Sequence, residues 1–236
     1  MPHPASDWID TLPTDRCIAE FSMWSADLTD QAGQIDLVSP HADILHLDVA
    51  DGVFAPSFLF FPDLVAQMRA LTNLPIHVHL MVDDAILLSQ IEQFAEAGSD
   101  LISLHVENAD HAEEALDLLD KHGIAAGMVL RVETPVERIA PYLNRLRFVT
   151  LLGTAIGVKG QGLNAEATNR LRQAAALIKT RSSSTRCVLA ADGGIRDNTV
   201  PNLINAGAET VVLGSLAFGA ADLSERMVWL ANLKRG

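Results

Sequence analysis

The chain has 236 residues, 49% hydrophobic and 20% charged, and its 17 Lys and Arg against 30 Asp and Glu give a formal charge of −13. That composition excludes a disordered chain, and the acidic balance argues against nucleic acid or an anionic membrane surface as partner, since both need clustered cations. Cys17 and Cys187 make no disulfide framework and point to a reduced, cytoplasmic setting; no apolar run reaches the roughly 18 residues of a membrane span, and the Asp-bearing stretch 1–15 does not read as a signal peptide.

Short apolar runs at 17–23, 43–48, 75–81, 100–105, 124–130, 147–152, 187–191 and 209–213 predict strands. Between them, helices are predicted at 29–38, 59–71, 86–97, 110–122, 135–143, 165–179, 197–205 and 221–233. The strands lack strict polar alternation, as expected when protein covers both faces. Gly98, Gly123 and Gly207 stand where a helix ends in a left-handed residue. Thr134-Pro135 reads as the N-cap and first position of the fifth helix. Eight strand–loop–helix units predict an α/β fold, a single (β/α)8 TIM barrel over residues 1–236, with residues 1–16 as an N-terminal extension. A doubly wound open sheet is the runner-up.

In a barrel, chemistry sits at the C-terminal strand ends. There the sequence places His46 and Asp48 on one face of strand two, His79 on strand three and Asp192 on strand seven. Any one His alone reads as a strand-end hydrogen-bonder. Four such groups at three strand ends make a mixed N/O set suited to a divalent ion: Zn²⁺ first, with Fe²⁺, Mn²⁺ or Co²⁺ as alternatives. His77 lies one layer deeper and reads as a supporting histidine. His105, Glu107 and Arg131 end strands four and five. Asp192-Gly193-Gly194 and Gly214-Ser215, each read as opening a helix, resemble the phosphate turns of barrel strands seven and eight. The loop Gly157 to Gln161 reads as a lid.

These segments resemble the ribulose-phosphate 3-epimerases and other ketose-phosphate 3-epimerases from about Ser22 to Phe218. The likeness rests on Ser22-Met-Trp-Ser-Ala-Asp27, His46-Leu-Asp-Val-Ala-Asp-Gly-Val-Phe-Ala-Pro56, His79-Leu-Met-Val82, Phe94-Ala-Glu-Ala-Gly98, Asp192-Gly-Gly-Ile195 and Gly214-Ser215. The resemblance implies an isomerase that inverts a carbon beside a ketone through a metal-stabilised enediolate. It implies His46, Asp48, His79 and Asp192 as metal ligands, and Asp48 and Asp192 as the two carboxylates that exchange the proton. It implies substrate contacts at Ser22, Met81, Gly157, Gly160, Gln161, Gly193, Gly194, Gly214 and Ser215. The expected partners are a small sugar phosphate and further copies of the chain in a homo-oligomer.

The chain departs from that family at the substrate side. Ala50 and Leu152 stand where the family carries Met. The lid reads Ala155-Ile-Gly-Val-Lys-Gly-Gln161 in place of Asn-Pro-Gly-Phe-Gly-Gly-Gln, and Arg131-Val132 replaces Asn or Lys followed by Pro. Lys159 and Arg131 are therefore added as candidate substrate contacts, predicting a substrate that differs from ribulose 5-phosphate on this side. The alternatives are a lyase, decarboxylase or isomerase that forms an enediolate from a sugar phosphate or sugar-acid phosphate, and, last, a non-catalytic sugar-phosphate binder.

Overall fold

The computed structural model describes residues 3–233. Eight parallel strands close into a barrel in sequence order: β1 Ile18–Ser22, β2 Ile44–Ala50, β3 Ile76–Met81, β4 Leu101–His105, β5 Ala125–Leu130, β6 Phe148–Leu152, β7 Val188–Asp192 and β8 Thr210–Leu213. All eight were legible as apolar runs. Around them lie α1 Trp8–Thr11, α2 Gln31–Val38, α3 Pro62–Leu71, α4 Asp84–Glu96, α5 Ala112–His122, α6 Ala167–Ile178, α7 Val200–Asn205, α8 Ser215–Phe218 and α9 Leu223–Ala231.

Alternate strand residues face opposite ways, which gives each strand two buried faces here. Phe21, Leu47, Val78, Leu104, Met128, Val149 and Leu213 join helix residues such as Val65, Ile91, Leu116 and Leu171 in the main core. The inward face is graded along the barrel. Its base is apolar: Ile18, Ile44, Leu101, Phe148 and Val188 pack with Trp8, Ile9 and Leu12. The N-terminal extension thus stoppers the barrel floor through α1. Glu20, His46, Ser103 and Thr150 follow two positions further along their strands, and the mouth comes two beyond that.

Two local expectations fail. The segment 135–143 forms only a 3₁₀ turn at Val136–Ile139. Pro141 has no N–H to donate to residue 137, so an α-helix cannot run through it. Thr134 does not cap that turn; its hydroxyl donates to Glu107 instead. The glycines after β7 also do not open a helix directly. Gly193 and Gly194 take φ of +86° and +71°, and α7 begins only at Val200. A Cβ on Gly194 would lie 2.8 Å from the Leu163 Cα, so this turn admits only glycine against the β6 loop. Gly214 does lead directly into α8. The three helix-ending glycines, Gly98, Gly123 and Gly207, all take positive φ as expected.

Candidate active site

Strand register assembles the site. Ser22 pairs with His46, Asp48 with His79, and Leu152 with Asp192. Parallel pairing sets these strand ends side by side, with His46 one inward position below Asp48 on the same strand. The result is a group of ligand atoms from His46, Asp48, His79 and Asp192, all within 4.8 Å of one another. His46 Nε2 and His79 Nδ1 each lie 3.2 Å from Asp48 Oδ1, and His79 Nδ1 lies 3.7 Å from Asp192 Oδ2. Ser22 Oγ donates to Asp48 Oδ2 at 2.9 Å.

Beneath this group lies a residue the sequence reading missed. Glu20 is fully buried, and its Oε1 accepts from His46 Nδ1 at 2.8 Å and from His77 Nδ1 at 2.6 Å. The Nε2 of His77 meets Ser103 Oγ at 2.7 Å, so His77 supports the layer above it as expected. The available signal was a lone carboxylate inside the apolar run Ile18-Ala-Glu-Phe-Ser22. Burial pushes the Glu20 carboxyl up, but the charge of His77 and hydrogen bonds from both imidazoles outweigh it and hold it near 2.

These bonds decide what the cluster can hold. With its Nδ1 proton given to Glu20, a neutral His46 turns a lone pair toward Asp48. His79 Nδ1 faces the same carboxylate and Asp192. Acceptors aimed at one another require positive charge between them. An extra proton on His46 is one way to supply it: burial opposes that proton, yet the Asp48 charge and hydrogen bond, then Glu20, raise the imidazole well above its ordinary value. A divalent cation is the other, and two imidazoles with two carboxylates are a donor set that fits one. The carboxylates are unlike. Burial would raise Asp48, but His46 and then His79 hold it far below the usual range. Burial and the neighbouring Asp48 charge push Asp192 up to about 6.

A cavity of about 320 Å³ opens above the cluster. Ser22, Asp48, His79, Met81 and Asp192 form its floor. The turns at Gly193-Gly194 and Gly214-Ser215 lie on one side, and Gly157, Lys159, Gly160 and Gln161 of the β6 loop cover another. Met81 packs with Ala50 and Ala55, and Ile156 of the loop rests on that cluster. The wall also holds Arg196, which the sequence reading did not select. Arg131 does not line this cavity: its guanidinium bonds to the Phe54 carbonyl at 2.9 Å and lies 4.1 Å from the Phe54 ring centre.

Fold and site together define a (β/α)8 barrel with a His/Asp metal-type cluster and glycine turns at its mouth. The chain belongs to the ribulose-phosphate 3 epimerase family, whose profile matches residues 18–218. It is 32% identical over 202 residues to the ribulose-phosphate 3-epimerase of Bacillus subtilis, covering 85% of this chain and 92% of that one. It is 36% identical over 183 residues to ribulose-phosphate 3-epimerase 2 of Cupriavidus necator, covering 77% and 75%. Among solved structures, 3-hexulose-6-phosphate synthase superposes with a TM-score of 0.64 at 17% identity, covering 99% of this chain and 100% of that one. Orotidine 5'-monophosphate decarboxylase of Methanocaldococcus jannaschii gives 0.68 at 10%, covering 94% and 100%. At such identities the last two likenesses speak only to the fold.

Proposed function

We propose that this protein is a 3-epimerase of a ketose phosphate related to ribulose 5-phosphate. The observation that carries the reading is the pair Asp48 and Asp192, brought from β2 and β7 to within 3.2 and 3.7 Å of His79 Nδ1 in the lining of the cavity. His46, Asp48, His79 and Asp192 would hold a divalent ion, Zn²⁺ before Fe²⁺, Mn²⁺ or Co²⁺, which would supply positive charge to offset the negative charge that develops on the ketone oxygen. Asp48 and Asp192 reach the carbon next to the ketone from opposite faces. One carboxylate removes its proton, the other returns one, and the carbon inverts. Their unlike proton affinities suit an exchange between them, since Asp48 is held charged while Asp192, raised to about 6, takes up a proton more readily than an ordinary carboxylate.

Other residues bind and shield. The turns at Gly193-Gly194 and Gly214-Ser215 receive the phosphate, Ser22 orients Asp48, and Met81 contacts the substrate carbons. Gly157, Lys159, Gly160 and Gln161 close over the enediolate and keep water out. Lys159, where the family has Gly, is the reason to place the substrate among relatives of ribulose 5-phosphate. A homo-oligomer is part of the same reading: Val53, Phe58 and Phe61 expose 75%, 86% and 56% of their surface on the β2–α3 connection, where another copy can cover them.

A panel of ketose phosphates in D₂O, followed by proton NMR, tests the activity. An epimerase places one deuterium at the inverted carbon. Two products from one substrate would establish a lyase or decarboxylase, and no exchange with any substrate would leave a binder.

A further inference from the structure

His79 is held from behind by His105 and Glu107 in series. Its Nε2 lies 2.9 Å from the Nε2 of His105, with the two rings stacked at 24°. His105 Nδ1 in turn lies 2.9 Å from Glu107 Oε2. The other oxygen of Glu107 accepts from the main-chain N–H of Arg131 at 3.2 Å and from the Thr134 hydroxyl. His105 is fully buried, and the Phe54 ring packs on it edge to face, 4.9 Å between centres.

Two imidazole nitrogens at 2.9 Å need one proton between them. If His79 offers the Nδ1 lone pair to an ion, its own proton must sit on Nε2. His105 must then accept with Nε2, keep its proton on Nδ1 and donate it to Glu107. Each step follows from the last, and the chain ends on a carboxylate that can only accept.

We propose that Glu107 is a positioning residue for the metal centre, fixing through His105 the tautomer in which His79 presents Nδ1 to the ion. The inference rests on the metal reading given above. It makes Glu107 the counterpart, one ring removed, of Glu20, which orients His46 directly. Carboxylates behind a ligating histidine govern metal affinity in this way.

Glu107→Gln is a sharp test because its amide has only one good orientation. The N–H of Arg131 cannot rotate away, so it claims the amide oxygen. The amide NH₂ then faces His105 Nδ1 and forces it to accept. The His105 proton moves to Nε2, and His79 carries its own on Nδ1, where the ion should bind. In chelator-competition titrations with Zn²⁺ or Co²⁺, E107Q should bind about 10–100-fold more weakly than wild type, with an altered Co²⁺ visible spectrum and an unchanged metal-free melting temperature. Glu107→Asp keeps an acceptor and should recover most of the affinity. Should E107Q not fold, His105→Phe removes the acceptor of His79 and should weaken binding in the same way. Equal affinities for wild type and E107Q, or an E107D as weak as E107Q, would overturn the inference. A wild type that takes up no ion would instead overturn the metal reading beneath it.

Discussion

Lys159 and Trp24 join opposite loops across the barrel mouth: the ammonium donates to the Trp24 carbonyl at 2.6 Å and stands 4.5 Å from the indole centre. On its other side the same loop is tied down by Ser57, whose hydroxyl donates to the Gly157 carbonyl at 2.8 Å. Lys159 also lines the cavity. Lys159→Ala should therefore lower kcat/KM for the true substrate about tenfold, the smaller end for loss of a charge-assisted contact at a solvated site. Steady-state kinetics on several ketose phosphates check this. Unchanged turnover of ribulose 5-phosphate by the variant, with wild type efficient on it, would remove Lys159 from substrate choice.

Asp48→Asn and Asp192→Asn keep size and lose the proton-carrying group. Each should cut solvent proton exchange into substrate by at least ~10²–10⁴-fold. The readout is the rate of deuterium incorporation under single-turnover conditions. Exchange at the wild-type rate in either variant would refute the two-carboxylate assignment.

Purified protein should carry about one divalent transition metal per chain, because four donor groups converge on one point. Elemental analysis gives the stoichiometry. Removing the ion with a chelator should abolish epimerisation, and readdition should restore it. Full activity in protein shown to be metal-free would contradict the assignment.

Gly127 makes room for the layer beneath the site. A Cβ there would fall 2.0 Å from Ser103 Oγ and 3.2 Å from the Phe148 Cβ. Gly127→Ala must push Ser103 off its bond with His77, inside a packed barrel that cannot yield. A loss of about 1–3 kcal/mol is expected, from overpacking together with the lost hydrogen bond. Urea denaturation of the two proteins measures it, and a variant as stable as wild type would show that the layer is looser than its geometry.

The sequence alone determined the repeat and the residue types at its strand ends. Strand runs, amphipathic helices and closing glycines are local patterns, and eight strand runs in order leave few ways to fold. Once the barrel is assumed, strand ends are adjacent by topology, so His46, Asp48, His79 and Asp192 could be gathered before any distance was known. Tertiary structure alone decided what stands behind them. Glu20 meets His77 across 57 residues of chain and His79 meets His105 across 26, and such meetings depend on register and barrel closure, which leave no periodic mark. The same holds for the Trp8–Ile9–Leu12 stopper, for Arg131 turning onto Phe54, and for Thr134 bonding Glu107 where a helix cap was expected. A hydrogen bond between distant residues is settled to within an ångström only when the whole barrel has closed, and local sequence carries no record of that distance.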